Sequence, residues 1–203
     1  TEVPDDSTFG RRQSRGTPHI YSEYQVGQLL AAARHLDASR GLRGVVYETL
    51  FGLIASTGLR VAEALALLVG DVDLRHGVLT IRRTKFGKSR AVPLHPSTTR
   101  ALIQYRAKRD QAGASSGADE PFFIGTRVDQ FGKPLAAHQV RCVFAVIRRN
   151  LGWVNRGSHH APRIHDLRHT FVVRRILLWQ QEQVDVDQAM LSLSTYVGHA
   201  RVT

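Results

Sequence analysis

A short β segment interrupts an otherwise helical chain and limits the folds open to it. Asp71-Val72-Asp73-Leu74, Val78-Leu79-Thr80-Ile81 and Arg90-Ala91-Val92-Pro93-Leu94 read as three short strands. The last two are joined by Arg82-Arg83-Thr84-Lys85-Phe86-Gly87-Lys88-Ser89, a hairpin with a glycine in its turn. On either side the apolar residues recur at helical spacing. Ser22 opens a helix with Gln25 three residues later, a capping-box pattern, and Val26, Leu29, Leu30 and Ala33 form its stripe. A second helix is expected from Gly44 to Ser56, broken by Thr57-Gly58, and a third from Arg60 through Leu68. Further helices are expected from Ser97 to Gln111 (Leu102, Ile103 and Tyr105 inside), from Ala136 to Leu151, from the His165 region to Trp179, and from Val186 to Leu193. Pro121-Phe122-Phe123-Ile124 returns to the core. The fold class is therefore α+β, mostly α-helical with a small three-stranded antiparallel sheet.

A chain of 203 residues makes one domain with a sizeable core, plus an arm. Residues 1–20 read as a basic linker or arm: Arg11, Arg12 and Arg15 lie among Gly10, Gly16 and Pro18 with almost no apolar periodicity. They either track a DNA backbone or form a solvated tail. Lys and Arg number 28 against 17 Asp and Glu, a net charge of +11, so the default partner is a polyanion, nucleic acid first. The apolar runs are short and interrupted, which argues against a membrane partner. The first twenty residues do not resemble a signal peptide. Cys142 is the sole cysteine, so no internal disulfide forms and a reducing compartment suits the chain. The expectation is a soluble, cytoplasmic protein.

The chemistry centres on His165-Asp166-Leu167-Arg168-His169-Thr170-Phe171. His165 and Arg168 are three residues apart and share a helix face. A guanidinium forks two hydrogen bonds onto a phosphate and an imidazole adds a third. The ordinary alternative is a solvated helix face, or a packed histidine beside a surface arginine. A zinc pair of His165 and His169 is a weaker reading, because Arg168 between them repels a cation and no cysteine cluster assists. Arg60 begins a helix after the Gly58 turn, a place where backbone N–H groups also favour an anion. Glu63, three residues on, either orients a neighbouring basic side chain or makes a surface salt bridge. The hairpin carries Arg82, Arg83, Lys85, Lys88 and Arg90 and nothing acidic. It is shaped to enter a DNA groove, or else is a solvated turn.

Taken together these stretches resemble the catalytic domain of the tyrosine recombinase (phage integrase) family. Thr57-Gly58-Leu59-Arg60-Val61-Ala62-Glu63 resembles its first-arginine motif. The segment from Thr84 to Leu94 resembles its lysine hairpin, His165 to Phe171 its His-x-x-Arg box, and Tyr196-Val197-Gly198-His199 its second-histidine motif. All four fall in the family's order, from about residue 20 onward.

The resemblance implies metal-free phosphoryl transfer in double-stranded DNA. A tyrosine attacks the scissile phosphate, forms a 3′-phosphotyrosyl link and frees a 5′-hydroxyl, with no cofactor. The implied catalytic set is Arg60, Lys85, His165, Arg168 and His199. The two arginines clamp the non-bridging oxygens and His199 adds a hydrogen bond. Lys85 protonates the leaving oxygen as a general acid, and His165 assists the nucleophile's proton or holds the phosphate. Arg82, Arg83, Lys88 and Arg90 are the implied DNA contacts. The intact protein is expected to assemble as a homo-tetrameric synapse on DNA, in a cytoplasmic, nucleoid-associated setting.

The family's tyrosine lies about nine or ten residues past the second histidine, so here it is expected beyond Thr203. Tyr196 is read as packing. Residues 21–203 are expected to form the catalytic domain without its tyrosine segment or its N-terminal core-binding domain, and to bind DNA without cutting it. Two alternatives stay open: a type IB topoisomerase-like enzyme, and a non-catalytic DNA-binding remnant.

Overall fold

A computed structural model describes residues 17–36, 41–82, 89–155 and 160–198. Among them, helices α1 (Glu23–Arg34), α2 (Arg43–Thr57) and α3 (Val61–Leu65) precede strands β1 (Val72–Asp73), β2 (Val78–Ile81) and β3 (Arg90–Pro93). Helices α4 (Pro96–Gln111), α5 (Ala137–Asn150), α6 (Asp166–Gln181) and α7 (Val186–Val197) follow. The α+β expectation holds, and the sheet is antiparallel in the order β1-β2-β3.

The capping box at α1 forms as read: Ser22 Oγ accepts from Gln25 N at 3.1 Å, and Gln25 Oε1 accepts from Ser22 N at 2.9 Å. Helix α2 is the centre of the molecule. It buries Val46, Tyr47, Leu50, Phe51, Leu53 and Ile54, and packs against α1, α4 and α6. A helix apolar on so many sides belongs inside. It ends at Gly58, whose φ of 65° is the left-handed cap and whose N–H reaches Ile54 O at 2.9 Å. In the sheet, Leu79 pairs with Val72 on one side and Val92 on the other. All three are buried, so this register gives the small sheet one apolar face.

Three expectations need correction. Helix α3 stops at Leu65 rather than Leu68. The following backbone leaves the helix to pair with the loop before Phe122: Val69 N donates to Glu120 O, Gly70 N to Ala118 O and Phe122 N to Leu67 O, each at 2.8 Å. Ile103 is 46% exposed, because α4 turns Leu102 and Tyr105 inward instead. Helix α7 runs four residues past Leu193, because Leu193 and Val197 continue one apolar stripe that packs with Tyr196 against Phe171 of α6. Most of the expected arm, residues 1–16, lies outside the described residues. Among the described residues, no helix is long and apolar enough to cross a membrane.

Candidate phosphate-binding site

Four separate segments meet at one point: the Gly58 turn with Arg60, the start of β3 with Arg90, the first turn of α6 with Arg168, and the end of α7. The approach to α6 is fixed by Asp166, which is buried. It accepts from Arg163 N at 2.9 Å and from the Arg163 guanidinium at 3.1 Å. Tyr21 locks the same loop from behind, its hydroxyl donating to Arg163 O at 2.9 Å and its N–H to Thr170 Oγ1 at 2.9 Å. Burial pushes the Tyr21 phenol far above its ordinary range.

Arg168 is 3% exposed. Its Nη1 donates to Gly58 O and its Nη2 to Val197 O, both at 2.7 Å. No carboxylate bonds to it among the described residues. Burial, then repulsion from Arg60, lowers its pKa to about 10 against an opposing pull from Glu63, with Arg90 adding a smaller repulsion. Arg60 caps α3 and is one-third exposed. It donates from Nη2 to Gly198 O at 3.0 Å and from Nη1 to Glu63 Oε1 at 2.8 Å. Arg90 donates from Nε to Tyr196 O at 2.8 Å, and from its two Nη atoms to the two oxygens of Glu63 at 3.1 and 2.9 Å. Three consecutive carbonyls at the end of α7, those of Tyr196, Val197 and Gly198, are therefore each taken by a different arginine. These are the carbonyls a helix end leaves without internal partners, at the negative pole of its dipole.

Glu63 is the hub. Burial alone pushes its carboxyl up, but hydrogen bonds from Arg90 and from the Arg60 backbone and guanidinium outweigh that and hold it below its ordinary range. Three guanidiniums against one carboxylate leave two positive charges here. The cluster is short of an anion, and opens to solvent at Arg60 with Arg168 behind it.

His165 sits at the N-cap of α6, one turn before Arg168, and is exposed. Its ring lies edge to face with that of His169 at 5.0 Å. Partial desolvation where the ring meets the protein, then the neighbouring His169 and Arg168, lowers its pKa below the ordinary histidine value, which favours the neutral ring near pH 7. Among the described residues, no group of three or more His, Cys, Asp or Glu is placed to hold a metal.

Of the expected catalytic residues, Arg60 and Arg168 are brought together and His165 stands beside them. Lys85 and His199 lie outside the described residues, as do Arg83 and Lys88. Arg82 stays about half exposed at the end of β2, its guanidinium paired with the buried Asp71. Arg90 is turned inward, with 10% of its side chain exposed. That Glu63 orients a neighbouring basic side chain is one of the two sequence readings, and the structure has it holding both Arg60 and Arg90 with only 10% of its side chain exposed; the three carbonyls carry no signal in the sequence. The signal for Glu63 was its position three residues after the helix-capping Arg60, which lets its carboxylate reach back to the Arg60 N–H at 3.0 Å.

This geometry can be set against known proteins. The description of the Phage integrase family matches residues 21–201. The protein y4rE of Sinorhizobium fredii, named as an integrase/recombinase, is 40% identical over 98% of this chain and 62% of its own length. Tyrosine recombinase XerD of Ralstonia nicotianae is 30% identical over 95% of this chain and 56% of its own. Among solved structures, a lambda integrase tetramer bound to a Holliday junction superposes with a TM-score of 0.61. It is 18% identical and covers 99% of this chain and 53% of that one. The chain thus spans about three-fifths of the relatives it matches. The family match takes in the Gly58–Glu63 turn, β3, the start of α6 and the end of α7, the four segments that build the arginine cluster, and the chain belongs to the phage integrase family.

Proposed function

We propose that the protein is a site-specific DNA recombinase or integrase that cuts and rejoins strands through a 3′-phosphotyrosyl intermediate. The observation that carries this reading is Arg168: a buried guanidinium held by two main-chain carbonyls, beside Arg60. A buried charge without an ionic partner is costly, and a phosphodiester seated against the two arginines supplies the missing anion. In the pentacoordinate transition state, charge gathers on the non-bridging oxygens. Donors already fixed by the backbone then hold it without reorganising.

In this reading Arg60 and Arg168 clamp the scissile phosphate, and neutral His165 takes or relays the nucleophile's proton. Lys85 protonates the leaving 5′-oxygen and His199 adds a donor. The attacking tyrosine comes from beyond His199. Tyr21, Tyr47 and Tyr105 are buried in the core, Tyr24 is exposed in the first turn of α1, far in sequence from the second-histidine motif, and Tyr196 stacks on Phe171 with its hydroxyl turned to Pro93 O at 3.4 Å. Double-stranded DNA is the partner. The likeness to an integrase solved as a tetramer on a Holliday junction supports a homo-tetrameric synapse, working at the nucleoid.

The test is covalent trapping on nicked suicide duplexes drawn from the DNA flanking the protein's own coding sequence, using the full-length protein. A denaturation-resistant protein–DNA adduct at the 3′ side of the break supports the reading. Relaxation of supercoils without strand exchange would move it to a topoisomerase, and DNA binding with no adduct would leave a non-catalytic remnant.

A further inference from the structure

We propose that Arg90 is a positioning residue for the Arg60–Arg168 phosphate site, acting through Glu63 and the last turn of α7 rather than by touching DNA. The proposal rests on the recombinase reading above. A guanidinium has five N–H groups. Arg90 spends its Nε on Tyr196 O at 2.8 Å and both Nη atoms on the two oxygens of Glu63 at 3.1 and 2.9 Å. It is as covered as Glu63 itself, each with 10% of its side chain exposed. Gly198, at φ 72°, closes over it so tightly that an added Cβ would sit 2.8 Å from Nη1. All three of its guanidinium nitrogens are engaged, whereas Arg168 makes no bond from Nε among the described residues and Arg60 is one-third exposed, so of the three arginines Arg90 is the one with no nitrogen left for a ligand.

Two effects follow for the arginines that do face the anion. First, Glu63 also binds Arg60 and competes with phosphate for it. The forked pair with Arg90 occupies both carboxylate oxygens and weakens that competition. Second, Tyr196 O, Val197 O and Gly198 O are consecutive, and Arg168 and Arg60 lean on the second and third. By holding the first, Arg90 sets where the other two stand. Lysine carries one point charge and cannot make this three-way contact.

The experiment compares the full-length wild-type protein with Arg90→Lys and Arg90→Gln, each checked for folding by circular dichroism, so that either folded variant decides. Duplex affinity is measured at several salt concentrations, and single-turnover cleavage at saturating duplex. A second substrate carries a neutral methylphosphonate at the scissile position. The expected result is affinity within about twofold, an unchanged salt slope, and cleavage slower by on the order of 100-fold. On the methylphosphonate the difference should shrink to about threefold or less, because no charge remains for the arginine pair to hold. Weakened affinity with a shallower salt slope and an unchanged rate at saturation would make Arg90 a phosphate contact and overturn the proposal. Equal losses on both substrates would reduce it to scaffold and also overturn it. Wild-type protein that cleaves nothing would strike the recombinase reading itself. Wild-type cleavage matched by both variants would strike only the role given to Arg90.

Discussion

Arg168 Nη1 donates to the carbonyl oxygen of Gly58 at 2.7 Å, a bond between residues 110 positions apart. Gly58 is where α2 ends, and Arg60 follows two residues later. The spacing of the two guanidiniums is therefore set by the main chain of this turn and of α7's last turn. Long side chains that would otherwise sample many rotamers are held in one arrangement. Electrostatic preorganisation of this kind is what a metal-free phosphoryl transfer requires.

The turn itself is testable. Gly58 has φ 65°, and a Cβ there would sit 2.5 Å from Cδ1 of Phe171. Gly58→Ala should lose on the order of 2–3 kcal/mol from backbone strain and overpacking together. Urea unfolding followed by circular dichroism measures this. An unchanged midpoint and slope would show that Phe171 moves aside and that the turn is not the fixed point described here.

Glu63 gives a pH dependence with a definite sign. Its folded-state pKa lies below the ordinary 4.5, so near and below that value the unfolded chain binds more protons than the folded one. The carboxylate's contribution is fully present above about pH 4.5 and is lost as pH falls through the folded value. Glu63→Gln should cost about 3 kcal/mol at neutral pH, the low end for breaking a buried pair. It should also flatten the acid limb of stability against pH. An acid limb identical to wild type would assign that limb to other carboxylates.

DNA binding by a chain of net charge +11 should fall steeply with salt. Each phosphate neutralised contributes roughly 0.9 to the slope of log affinity against log salt. Electrophoretic mobility shift or fluorescence anisotropy on a duplex across a salt series gives the slope. Affinity that does not change with salt would remove the electrostatic basis for a nucleic-acid partner.

Much of this architecture was legible because local signals were strong. Ser22 with Gln25 set the start of α1, Gly58 set the end of α2, and the branched residues from Val72 to Val92 marked the sheet. The errors came from tertiary contacts with no local signature. Helix α3 shortens because Leu67 and Val69 find backbone partners at Phe122 and Glu120, about fifty residues on. Helix α7 lengthens because Phe171 offers Val197 a surface to pack on. The pairing of Arg60 with Arg168 followed from their motifs, and the structure brings them together. The inward turn of Arg90 was not legible, since alternation along a two-faced hairpin does not say which basic residue meets a buried carboxylate. Only the fold brings Glu63 within reach of it.

In the proposed reaction Arg168, buried and held by carbonyl oxygens, binds the scissile phosphate in the transition state. The most direct measurement is the single-turnover cleavage rate of a saturating suicide duplex by full-length Arg168→Ala, with folding verified by thermal melting. The rate should fall on the order of 100-fold or more, the scale of losing one preorganised donor, with duplex affinity little changed. A folded variant that cleaves at the wild-type rate would contradict it.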